Sequence, residues 1–198
     1  MKKMALIGFH KQIQHILQFP ATERYDEMVE LHRVISNHYC DAVNRLTPEK
    51  ARSISTDGRE LKLVIGHIME WERYTLFCLA QLISGVRNQT LLWENGYVDL
   101  DGKPHSFASI DEFNAFQREK QANMPWGEIQ STALQLSQTL YKLFSKKGLF
   151  TPELLEKTEV ISQKQPDGSR IPIPLGYTLW SVILEHEAVD HAADLYTD

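Results

Sequence analysis

The stretch PLGYTLWSVILEHEAVDHAADL, residues 174–195, decides the fold. Trp180, Ile183, Leu184, Ala188 and Leu195 recur at the three- and four-residue intervals of one helix face. Glu187 and His191 fall inside the same stripe. The spacing predicts a helix over about 176–196, with two ionisable groups stacked on adjacent turns of its core-facing side. A buried carboxylate without a partner is costly, so Glu187 demands a proton, a cation or a metal. His186 and Asp190 form a second pair four apart on a neighbouring face and read as an outward salt bridge. His186 is the reserve ligand should the face be displaced by one residue.

Working outward, a second helix is expected over about 59–85, where Val64, Ile68, Trp71, Leu79 and Leu82 form the apolar side and Gly85 ends it. His67 lies in that stripe; Glu70 and Glu72 read as solvated or paired elsewhere. A first helix over about 22–46 carries Met28, Leu31, Val34, Ile35, Tyr39, Val43 and Leu46, followed by a Thr47-Pro48 start signal. A third, over about 109–145, opens on the capping box Ser109 to Glu112 and is interrupted at Pro125 and Gly127. Residues 86–108 form a long connection with turn signals at Asn95-Gly96 and Asp101-Gly102. Residues 157–175 form a stiff, proline-rich loop with room for a small hairpin, where Arg170 reads as a solvated side chain or an anion contact. Thr151-Pro152 marks a short capped turn. The expected architecture is an all-α four-helix bundle over residues 22–198, with long connecting loops and an N-terminal extension over 1–21.

The chain has 198 residues, 42% hydrophobic and 24% charged, which suits one globular domain with a core of its own. A net charge of −5 with scattered lysines argues against a nucleic-acid binder. No apolar run approaches the length of about 18 residues that spans a membrane. The apolar part of the opening MKKMALIGFHKQIQHI is too short for a signal peptide, so a cytoplasmic protein is expected. Cys40 and Cys78 lie in apolar helical patterns and read as buried thiols.

His67, Glu187 and His191 together supply two imidazoles and one carboxylate, a donor set suited to Zn²⁺ or Ni²⁺ with a fourth position left for water. The same residues could instead be hydrogen-bonded core groups, with Glu187 neutralised by a histidine.

Three stretches carry a resemblance: LVIGHIMEWERY (63–74), SIDEFNAFQREKQANMPWGEI (109–129) and the closing 174–195. Together they resemble the DinB/YfiT-like superfamily of metal-binding four-helix bundles, which includes the mycothiol-dependent maleylpyruvate isomerase type. The resemblance implies a metal triad of His67, Glu187 and His191, a homodimer, and a low-molecular-weight thiol such as mycothiol, bacillithiol or glutathione as co-substrate. It implies a divalent-metal-dependent S-transferase or isomerase acting on a small electrophile. Two alternatives stand beside it: a metal-dependent hydrolase, and a non-catalytic bundle that binds or sequesters a small ligand. Residues 1–20 and the 157–175 loop depart from the basic bundle of the family.

Overall fold

A computed structural model describes residues 6–86, 97–98, 103–164 and 168–196. Four helical stretches build the bundle: α2 (Ala21–Arg45), α4 (Leu61–Ile83), α6 (Trp126–Ser145), and a closing stretch made of α8 (Leu175–Glu185), a π turn (His186–Asp190) and α9 (Ala192–Leu195). Helix α6 packs on both α2 and α4, and α8 packs on α4. Around them lie α1 (Leu6–Ile16), α3 (Pro48–Ala51), α5 (Ile110–Ala122) and α7 (Pro152–Glu156).

Local chemistry sets the boundaries. Thr47 and Thr151 cap α3 and α7, accepting from the Lys50 and Leu154 amides at 3.2 and 3.1 Å, with proline at the first helical position in each. Ser109 accepts from the Glu112 amide at 3.2 Å, while Glu112 accepts from the Ala108 amide at 2.8 Å. The third helix expected over 109–145 is two: α5 ends at Ala122, Pro125 stands in extended backbone, and α6 starts at Trp126. Gly85, at φ 110°, supplies the left-handed residue just past α4.

Among the described residues, β-structure is confined to two small hairpins and one isolated bridge. Tyr97–Val98 (β1) pairs with Pro104–His105 (β2); the expected turns at Asn95-Gly96 and Asp101-Gly102 lie outside the described residues. Val160–Lys164 (β3) pairs antiparallel with Arg170–Pro174 (β4), so the proline-rich loop is a hairpin that leads directly into α8. Arg170 is used across this hairpin, donating to the Ser162 hydroxyl at 2.9 Å and its carbonyl at 2.6 Å.

The opening segment is also a helix, and it is laid into the bundle. Phe9, Ile13 and Ile16 of α1 are buried in the main core, and His10 pairs with Glu185 at 2.9 Å.

The apolar interior falls into two clusters. One holds Leu31 and Ile35 of α2, Trp71 and Tyr74 of α4, Leu140 of α6 and Leu184 of α8. The other holds Tyr39 and Val43, Ile68 and Met69, Ala133, and Leu195 of α9. Near the change from one cluster to the other, each bundle stretch carries a buried polar residue: Ser36, Glu72, Ser137 and Glu187. These four form a polar layer across the core.

In the larger cluster, His32 is fully buried and rings of Tyr141, Phe144 and Trp180 meet it edge-on. The Trp180 indole donates to His32 Nδ1 at 3.1 Å, which requires that nitrogen to be unprotonated. Burial holds the imidazole at about 3, against an ordinary 6.5. Between those values the unfolded chain takes up a proton that the folded chain refuses. The stability tied to neutral His32 is therefore complete above pH 6.5 and lost progressively as pH falls toward 3. The His32→Gln variant, compared with the parent by denaturant titration, should lose about 2 kcal/mol less stability between pH 6.5 and 4.5.

Candidate functional site

The closing helix carries the site, and its backbone decides what the site contains. A π turn inserts one residue into an α-helix and aligns side chains five apart rather than four. His186 and His191 are five apart, and the turn between them covers His186–Asp190. The Tyr196 hydroxyl donates to the Glu187 carbonyl and pins this stretch, while the Tyr196 ring stacks on His38 at 4.1 Å.

Across from the turn stands His67 of α4. Its ring centre lies 5.6 Å from that of His186 and 5.5 Å from that of His191. All three imidazoles are half-buried. The Trp71 ring closes one side, 5.2 Å from His186 and 6.4 Å from His67. Trp180, by contrast, belongs to the core around His32. Burial, then the neighbouring imidazoles, push His67 down to about 3; burial, then His186, push His191 down to about 4. Both rings are neutral near pH 7, the state in which an imidazole nitrogen offers a lone pair. His186 Nδ1 donates to the Val182 carbonyl at 2.9 Å, and Asp190 Oδ2 lies 3.5 Å from the same nitrogen. A carbonyl can only accept, so the neutral ring of His186 keeps its lone pair on Nε2.

Of the residues expected from the sequence, the structure thus brings His67 and His191 together. It adds His186, whose expected pairing with Asp190 is present but whose ring also faces His67. Glu187 is fully buried, as its stripe requires, and its carboxyl faces Glu72 and Ser137. The reading of Glu72 as solvated or paired elsewhere is corrected: it has no exposure, and its carboxyl faces that of Glu187. The signal was present, because Ile65, Ile68, Glu72, Thr75 and Leu79 alternate at three and four residues along one face of α4. Glu70 is paired elsewhere, with Arg73. Burial pushes both Glu72 and Glu187 upward; Glu187 raises the cost of ionising Glu72 further, whereas Glu72 and Ser137 offset part of the rise at Glu187.

Two imidazoles that share one tetrahedral ion, with metal–nitrogen bonds of about 2.0–2.1 Å, have ring centres roughly 5 Å apart. The observed separations and the neutral nitrogen donors fit such an ion. Among the described residues, no three His, Cys, Asp or Glu side chains already stand in a metal-binding arrangement. The imidazoles must therefore turn toward a common point to ligate. The loop before α4 borders the site: Arg59 and Asp57 form an ion pair that acts on both His67 and His191. Asp194 of α9 holds this loop, accepting from the Thr56 amide at 2.7 Å and its hydroxyl at 3.1 Å. The cleft of ≈ 270 Å³ between them is lined by Ser53, Ile54, Thr56 and Asp194, and not by the imidazoles.

No family model matches the chain, and no curated protein matches it by sequence. Two solved structures share its fold: a histidine-to-alanine mutant of the mycothiol-dependent maleylpyruvate isomerase and that isomerase itself. The TM-scores are 0.55 and 0.53, each at 14% identity, over 92% and 90% of this chain. The chain spans 63% of the length of each, less than two thirds. The likeness shows the fold alone, an all-α helical bundle shared with these structures.

The Asp194→Ala variant should lose about 1 kcal/mol of stability, and amide exchange at Thr56 should rise well above that of the parent.

Proposed function

We propose that the chain is a divalent-metal-dependent enzyme acting on a small electrophile, with a low-molecular-weight thiol as co-substrate. His67 and His191 hold the ion together with a third donor from the closing helix. In the register of this structure that donor is His186, through Nε2. Glu187, the donor expected from spacing alone, would take its place if residues 186–190 adopted ordinary α register. The observation that carries the reading is the gathering of three half-buried imidazoles around His67. Zn²⁺ and Ni²⁺ both suit nitrogen donors. When bound, such an ion favours the thiolate of a coordinated thiol near neutral pH.

The protein's own residues prepare that chemistry. Burial keeps His67 and His191 unprotonated and available. The Val182 carbonyl fixes the tautomer of His186. Trp71 excludes water from one side of the cluster. The isomerase likeness supports thiol-dependent chemistry as the reaction class.

Metal analysis of tag-free protein tests the ligand set. The parent should hold about one equivalent of Zn²⁺ or Ni²⁺, and His67→Ala or His191→Ala should lower this at least ten-fold. His186→Ala should lower it more than Glu187→Gln. Retention of the ion after both the His67 and His191 substitutions would end the reading.

A further inference from the structure

The polar layer is separate from the imidazole cluster and has a chemistry of its own. Beside Ser36, four side chains meet there, one from each bundle stretch: Tyr39 from α2, Glu72 from α4, Ser137 from α6, and Glu187 from the π turn. All four are fully buried. Both oxygens of Glu72, both oxygens of Glu187 and the Tyr39 hydroxyl are without a hydrogen-bond partner among the described residues. Both carboxyls bear on the Tyr39 hydroxyl and, after burial, make its ionisation harder. Ser137 lies beside Glu187 and also bonds Ser36, hydroxyl to hydroxyl, at 2.7 Å. The cationic neighbour of Glu72 is Arg73, whose guanidinium is held by Glu70.

Two carboxylates placed together out of reach of water repel one another, and each loses its hydration. A serine and a tyrosine hydroxyl offer too few protons to satisfy four carboxylate oxygens. A bound cation answers both problems at once. We propose that this layer is a second metal site, for a hard divalent cation of the Mn²⁺ or Ca²⁺ class, held by Glu72 and Glu187 with the Tyr39 and Ser137 hydroxyls.

The donors themselves select the class. Four carboxylate and two hydroxyl oxygens make six, and an all-oxygen set suits Mn²⁺ and Ca²⁺ in preference to thiolate-seeking metals. Mg²⁺ dehydrates reluctantly and usually retains several waters, which a site with no exposure does not admit. The imidazole cluster, rich in nitrogen, suits a different ion, so the two sites sort metals by donor type. Because the layer is closed to solvent, the ion enters when the bundle folds or opens and leaves slowly afterwards.

Mn²⁺ is the probe, and the chain used carries His67→Ala and His191→Ala so that the imidazole cluster contributes nothing. This chain is unfolded and refolded with Mn²⁺, freed of excess by gel filtration, and examined by elemental analysis and electron paramagnetic resonance. About one equivalent of Mn²⁺ should remain bound, and its presence should raise the thermal midpoint. Adding the near-isosteric Glu72→Gln should reduce the bound ion at least ten-fold and abolish the midpoint shift, with circular dichroism confirming the helical fold. Absence of both bound Mn²⁺ and the midpoint shift in the histidine-free chain would overturn the proposal, leaving a carboxyl pair that shares protons alone. Equal retention after Glu72→Gln would overturn it as well. With Glu187 turned to Glu72, as in this structure, the imidazole site can fail in the parent while this one holds, and the reverse, so in this register the two readings are tested separately.

Discussion

Two carboxyl groups face each other in the middle of a helical core, and the rest of the molecule is arranged around that contact. Glu72 comes from α4 and Glu187 from the π turn that continues α8, the helix packed on α4, and neither reaches solvent. Apolar residues of similar size would fill the same space without the desolvation penalty. The bundle instead surrounds the pair with Ser36, Tyr39 and Ser137, placing the polar groups at one level and leaving apolar packing above and below.

The π turn belongs to the same arrangement. Glu187 faces inward toward Glu72, while His186 and His191 turn to the His67 side. An uninterrupted α-helix would stack Glu187 with His191 and carry His186 onto another face. The inserted residue separates these roles, so one short segment serves both the interior layer and the half-buried imidazoles. Tyr196, bonded to the Glu187 carbonyl, ties the end of the chain to the segment where that separation occurs.

Much of this was legible in the sequence. The apolar stripes located the four bundle helices, the Thr-Pro and Ser-x-x-Glu signals located three caps, and Gly85 marked a helix end. Pro125 announced a break, although the extent of its effect, two separate helices, depended on how α5 and α6 pack against α4. His67 and His191 were placed on the correct faces by periodicity. The role of His186 was not, because a π insertion leaves local composition unchanged and shows only in the register of the residues beyond it. Glu72 was misread because its charge outweighed its position, yet the three-and-four spacing around it is as regular as that around any leucine of α4. Burial of α1 was hidden for another reason: a short amphipathic segment reveals nothing of its partner until the bundle exists to receive it.

The layered interior also governs how the molecule comes apart. Hydrophobic cohesion is strongest within a continuous apolar cluster, and here the interior is divided between two clusters that each draw on all four helical stretches. Subglobal opening tends to run along such seams. The end containing Val43, Val64 and Ala133 is the smaller cooperative unit and the one that can fray while the Trp180 end stays closed. His67 sits on α4 among residues of that smaller unit, while Trp71 and Ala188 beside the other imidazoles belong to the larger one, so the imidazole cluster straddles the seam along which the two parts separate.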